Sequence, residues 1–211
     1  MSAALFPRAT PDSNRFVYVA AQLTSGVFEL FSVASGGGTA PTRLNSALIL
    51  GGNVTGFAIS ADGHVVYGAD QGADERFELY SVPAVGGQAP TVLSGAMSAG
   101  ADVTKFLLSD DGAFVVYLAD ANTDQVFELY RAPINGSQAP VRLNAPLAPG
   151  ASVLAFEIAR DGSRVVYQAG VTSPNESADL YSVPSAGGTA VRLSIFDAGP
   201  STQRWFAIAP D

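Results

Sequence analysis

A period close to 50 residues constrains this chain more than any other feature. Asp12, Asp62, Asp111, Asp161 and Asp211 follow one another at steps of 50, 49, 50 and 50. Tyr18, Tyr67, Tyr117 and Tyr167 keep the same spacing, as do Leu44, Leu93, Leu143 and Leu193. Three unrelated landmarks in one register divide a single domain, 1–211, into four repeats at approximately 11–60, 61–109, 110–160 and 161–211. Repeats of this length build solenoids, propellers or arrays, in which each unit buries an apolar face against its neighbour.

Each repeat reads as four short strands. The first is Val54–Ile59, recurring as Val103–Leu108 and Val153–Ile158. Asp62-Gly63, Asp111-Gly112 and Asp161-Gly162 follow, a pair that tolerates the positive φ of a hairpin turn. The second strand (Val65–Tyr67, Phe114–Leu118, Arg164–Gln168) is rich in β-branched and aromatic residues. The third is Phe127-Glu128-Leu129-Tyr130 with its counterparts at 28–31, 77–80 and 178–181; a Gly-rich connection then leads to Pro140–Leu143 and its equivalents. No window carries a capped 3.6-residue apolar period, so helix is not expected. The fold class is therefore all-β: a β-propeller of four repeats, each a four-stranded antiparallel blade. Runs such as Phe114-Val115-Val116-Tyr117 are apolar on successive residues because a blade is covered on both faces.

Composition narrows the function classes. With 47% hydrophobic and 14% charged residues the chain can bury a large core. A net charge of −8 with a single lysine, Lys105, argues against nucleic acid, which requires clustered cations. The absence of cysteine removes disulfides, thiolate metal sites and cysteine nucleophiles. No apolar window is long enough for a membrane helix, so no membrane span is expected. The N-terminus lacks the pattern of a signal peptide, and an export signal would lie outside this sequence.

The ends of the repeat array differ from its middle. Pro7 stands where Phe57, Phe106 and Phe156 stand, which weakens a first strand before Asp12. After the fourth repeat a good first strand returns at 203–208, with Trp205 and Phe206. Three arrangements follow: the C-terminal strand closes the ring by completing the first blade, the chain is part of a longer propeller, or two chains form one larger ring as a homodimer.

Ser60-Ala61-Asp62-Gly63, Val65-Val66-Tyr67, Glu78-Leu79-Tyr80-Ser81-Val82-Pro83, Gly86-Gly87 and Leu93 together resemble the repeats of the TolB-like (WD-like) β-propeller family. The usual Pro of its first motif is replaced by Ala61, Asp110 and Arg160, and Leu-Thr by Leu-Asn or Leu-Ser. The resemblance covers 11–211. It implies a periplasmic or extracellular interaction module, binding a protein, a small molecule or a glycan. Its alternative is the substrate-gating propeller of a serine peptidase or another hydrolase whose catalytic domain lies elsewhere.

Few residues invite chemistry. Asp120, Asn122 and Asp124 have the Asp-x-Asn-x-Asp spacing of a calcium loop, and Asp70–Glu75 partly repeats it. Gln125 occupies the place of the usual Gly and Arg131 that of the closing Glu, so solvated turn residues are the preferred reading. No cofactor is expected beyond that calcium candidate, which leaves a calcium-dependent structural or adhesive module as a third alternative. The carboxylates Glu29, Glu78, Glu128 and Asp179 precede Arg43, Val92, Arg142 and Arg192 across a hairpin, so three of four are expected in cross-strand ion pairs. His64, the single histidine, follows a turn and is expected to be exposed and inert; one histidine excludes a His-cluster metal site. No Gly-x-Ser-x-Gly elbow occurs. The chain is expected to be non-catalytic, with binding at the blade ends, in loops 68–76 and 118–125.

Overall fold

The computed structural model describes residues 5–171 and 178–194 and contains strands and turns only. Four antiparallel sheets follow in chain order. The first holds β1 (Leu5–Ala9), β2 (Arg15–Ala20), β3 (Glu29–Ala34) and β4 (Thr42–Arg43). The second holds β5 (Val54–Ile59), β6 (His64–Ala69), β7 (Glu78–Pro83) and β8 (Thr91–Val92). β9 (Val103–Leu108), β10 (Phe114–Ala119), β11 (Glu128–Pro133) and β12 (Val141–Arg142) make the third. β13 (Ala151–Ile158), β14 (Arg164–Val171), β15 (Ala178–Pro184) and β16 (Val191–Ser194) make the fourth. Every sheet is a meander in which each strand pairs with its sequence neighbour, so the four expected blades are present.

The first hairpin of each sheet turns where the sequence places Asp-Gly. Gly63, Gly112 and Gly162 take φ of +86°, +72° and +69°, and Ser13 takes +59° at the equivalent place in the first sheet. The turn aspartate serves as a clamp: Asp111 accepts hydrogen bonds from the Ser109 hydroxyl at 2.6 Å and the Ala113 amide at 2.9 Å. Pro7 does not abolish β1. The strand pairs with β2, and its register shifts between Leu5 and Arg8, which accommodates a residue unable to donate to the ladder. The first sheet therefore has a first strand from the N-terminal side. Residues 203–208 lie outside the described residues.

Sheets pack face to face through three apolar cores. The first joins Val17, Val19, Leu30 and Leu44 to Val54, Val65, Tyr67 and Val82. Repeat-equivalent residues form the second, with Val66, Leu79 and Leu93 against Val115, Tyr117 and Ala132, and the third, with Val116, Leu129 and Leu143 against Val165, Tyr167 and Val183. Among the described residues no such core joins the fourth sheet to the first. In every sheet the tyrosine of the second strand stacks on the aromatic of the third; Tyr67–Tyr80 centroids are 5.3 Å apart and Tyr167–Tyr181 5.2 Å. Lys105 lies 4.9 Å over the Phe156 ring, linking the first strands of the third and fourth sheets.

Burial separates inner blades from outer ones. β10 is buried at all six residues, while β2 and β14 alternate between buried and more exposed positions. Consecutive apolar residues thus meet a neighbour on both faces in the inner sheets and on one face at the two ends.

The turn before each fourth strand limits how closely blades approach. Gly136, at φ +64°, has no room for a Cβ, which would overlap the Thr91 side chain of the preceding blade. Gly87, at φ +83°, has open space around it. Replacing Gly87 by alanine is expected to cost about 1–2 kcal/mol of left-handed backbone strain, and Gly136→Ala clearly more, because overlap adds to strain. Urea unfolding of both variants checks the difference.

Candidate functional site

Antiparallel order places the loops after β2, β6 and β10 at the same end of the blades as the connections that lead from one sheet to the next. The first-hairpin and third-hairpin turns lie at the other end. The residues singled out for calcium sit at the first of these ends, where the structure gives each a separate task. Asp120 is buried: one carboxylate oxygen accepts the Asp102 amide at 2.6 Å and the other the Gln125 amide at 2.9 Å. Asn122 turns its amide nitrogen inward, to the Glu128 carboxylate at 3.0 Å and the Tyr130 hydroxyl at 2.9 Å. Asp124 is exposed and accepts from the Gln125 side chain at 3.1 Å. Gln125, where a calcium loop has Gly, takes φ +61°, and Glu75 takes +53° at the same place in the second sheet. Among the described residues no group of three or more His, Cys, Asp or Glu side chains is placed to hold a metal ion.

Asp120 belongs to a relay between blades. The Phe77 amide donates to Asp102 at 2.9 Å, and the Asp102 amide donates to Asp120. One blade earlier, Phe28 donates to Asn53 at 2.9 Å, and Asn53 to buried Asp70. In the next, Phe127 donates to the Ser152 hydroxyl at 3.1 Å, and Gly170 stands where the buried aspartate would be. Beside each relay a main-chain bond of 2.8 Å, from Val54, Val103 or Val153 to the same phenylalanine carbonyl, ties one blade to the next. The recurrence of Asp70 and Asp120 at one repeat position was the signal available in the sequence for this role.

The repeated carboxylates are engaged as the pairing argument expects. Arg43 lies 2.9 Å from Glu29, Arg142 2.7 Å from Glu128, and Arg192 pairs with Asp179. The contacts are diagonal, since the residue directly opposite Arg142 is Tyr130. Glu78 has no arginine on β8, and Arg76 from its own loop approaches at 3.4 Å while the Tyr80 hydroxyl donates at 2.8 Å. Burial alone would raise the Glu128 pKa, but hydrogen bonds from Asn122 and Tyr130 together with Arg142 outweigh it and hold the carboxyl below its ordinary range. Burial, and then the adjacent carboxylate, push the Tyr130 hydroxyl up, so it stays a donor. A carboxylate held this way stays ionised near neutral pH, with its oxygens engaged by Asn122, Tyr130 and Arg142.

At the opposite end, a cleft of about 210 Å³ opens between the turns of the first and second blades. Asp12, Arg15, Asp62 and His64 line it with Pro83 and Val85. His64 is half-buried and not fully exposed as expected; its Nδ1 lies 2.9 Å from Asp62. Hydrogen bonds from Thr10 and Asn14 hold Asp12 below its usual pKa; for Asp62, bonds from Ser60 and His64 overcome the effect of burial. Both are anionic at neutral pH and neither can supply a proton. The spacing of the turns gives no sign of this cleft; Gly63 has open space there, whereas its counterpart Gly112 meets Ala61 of the preceding blade.

This arrangement is a series of four-stranded blades with loops at both ends. No protein-family model matches the chain, and no curated protein does. Among solved structures the chain is similar to TolB from Acinetobacter baumannii, at 17% identity and TM-score 0.54, over 92% of this chain and 44% of that one. It is also similar to a structure from a study of two prolyl endopeptidases, at 12% identity and TM-score 0.64, over 93% of this chain and 30% of that one. A puromycin-hydrolyzing peptidase of Mycobacterium tuberculosis matches at 16% identity and TM-score 0.58, over 92% and 30%. The fold is thus a TolB-like β-propeller. The chain spans less than half the length of each of these structures.

Two outcomes follow from the carboxylates. Because Glu128 has a lowered folded pKa, its contribution to stability is present above its ordinary value of 4.5 and is lost as pH falls through the folded value. Glu128→Gln is therefore expected to lower the urea midpoint at neutral pH and to flatten its decline below about pH 4.5. Asp120→Ala leaves two amides without their acceptor and is expected to cost about 1–3 kcal/mol, equally with calcium or with chelator. A rise in Tm with calcium that Asp124→Ala removes would place a cation in this loop.

Proposed function

We propose that the chain is a non-catalytic binding scaffold of the TolB-like propeller type, working in the periplasm or outside the cell. The observation that carries this reading is a contrast within the molecule. The amide bonds of Phe28, Phe77 and Phe127 and the main-chain ties beside them recur at each blade boundary, whereas the loop tips (Gln22–Gly26, Asp70–Glu75 and Asp120–Gln125) differ in each repeat. A fixed base with varied tips is how a scaffold presents a recognition surface. Leu23 and Leu50 stand at the same end, 62% and 98% exposed. The ligand is a protein, a small molecule or a glycan that meets a surface of exposed leucine and carboxylate.

A second reading is favoured by one finding. Two of the similar structures are peptidases, and the chain matches about a third of each. In that case the propeller gates a catalytic domain that supplies the reaction, and this chain still contributes none of the reacting groups.

Chromogenic prolyl and aminoacyl peptides incubated with the purified chain separate catalysis from binding. No turnover is expected, and turnover would overturn the scaffold reading. Peptide and glycan arrays probed in parallel are expected to give signals that Leu23→Ser combined with Leu50→Ser abolishes while Tm is unchanged. Signals that survive the double substitution would move the surface to the other end.

A further inference from the structure

The two end blades carry faces built like the interior ones. Val17, Val66 and Val116, then Leu30, Leu79 and Leu129, then Leu44, Leu93 and Leu143 turn toward the following blade, and all are 3% exposed or less. The fourth sheet keeps this set as Val166, Leu180 and Leu193, where the first two are half-buried and Leu193 is 53% exposed. The face that meets the preceding blade is built from Val65, Val115 and Val165 with Tyr67, Tyr117 and Tyr167, again nearly unexposed. The first sheet keeps it as Phe16, 41% exposed, and half-buried Tyr18.

Tyrosine hydroxyls bridge two of the three blade boundaries. The Tyr117 hydroxyl donates across the blade boundary to the Ser94 carbonyl at 3.3 Å, and the Tyr167 hydroxyl accepts the Ala145 amide across the next at 3.1 Å. The Tyr67 and Tyr18 hydroxyls donate to Gln71 and Gln22 of their own sheets.

We propose that these two faces meet between two copies of this chain, the fourth blade of each packing on the first blade of the other. Each face is one half of an interface the chain already makes three times, so each is the other's complement. Within one chain no core among the described residues brings them together. A contact between unlike faces is head-to-tail and closes only as a ring. Two copies give eight blades, within the range of about four to eight that propellers adopt, and three copies would exceed it.

Light scattering and sedimentation at micromolar concentration test the proposal. The expected mass is twice the 21.6 kDa of the chain. Leu193→Asp and Phe16→Asp are each expected to give a monomer with unchanged far-UV circular dichroism. Mixed together they are expected to recover a dimer, because each retains the face the other has lost. Val141→Asp, at an exposed site on the third blade, leaves the dimer intact. If either aspartate variant fails to fold, cysteines at 16 and 193, placed singly in this cysteine-free chain, replace it. On oxidation they cross-link as a mixed pair and not as like pairs, as expected from Val65 and Leu44 sharing one core. A monomeric wild type, a mass that grows with concentration beyond the dimer, or dimers insensitive to both aspartates would overturn the proposal.

Discussion

Everything in this molecule depends on burying a sheet on both faces. A four-stranded meander of about 50 residues has no core of its own, and its stability comes from the sheet before it and the sheet after it. That requirement explains why β6 and β10 carry apolar residues at consecutive positions. It also explains why polar groups at the blade boundaries find partners there, with the Phe77 amide on Asp102 and the Tyr117 and Tyr167 hydroxyls bonded across. A buried aspartate such as Asp120, without its amide donors, would cost more than the loop it organises contributes.

The scaffold was legible because the period repeats each signal four times. Asp-Gly turns, β-branched second strands and three of the four acid–arginine pairs could be placed from spacing alone. The exceptions have local causes. Glu78 lost its cross-strand partner to Val92, and Arg76 replaces it from a loop that strand spacing does not describe. The first strand survives Pro7 because an irregular register takes up the missing donor. Asp120, Asn122 and Asp124 have the right spacing for a cation, but spacing does not say where oxygens point. Two of Asp120's bonds go to main-chain amides, and Asn122 presents nitrogen. The end blades were hidden for a different reason: their outer faces are written in the same apolar residues as the inner ones, so only packing tells them apart.

Electrostatics reinforces the division between frame and surface. Inside the frame, acids such as Glu128 are held ionised by donors arranged around them, and tyrosines are held protonated beside them. Such groups fix positions and do not exchange protons near neutral pH. At the surface, the net charge of −8 and the exposed loop acids give the blade ends a negative character that would repel acidic partners and nucleic acids alike.

The meander order of every sheet has a kinetic consequence. Each strand pairs with the one beside it in sequence, and among the described residues each apolar core joins successive blades, so ordering proceeds by short loop closures. The chain behaves as a row of four coupled units whose cooperativity passes from neighbour to neighbour. Loss of one relay weakens a joint in that row, and the blades beyond it open as a block, with the frame on the other side still standing.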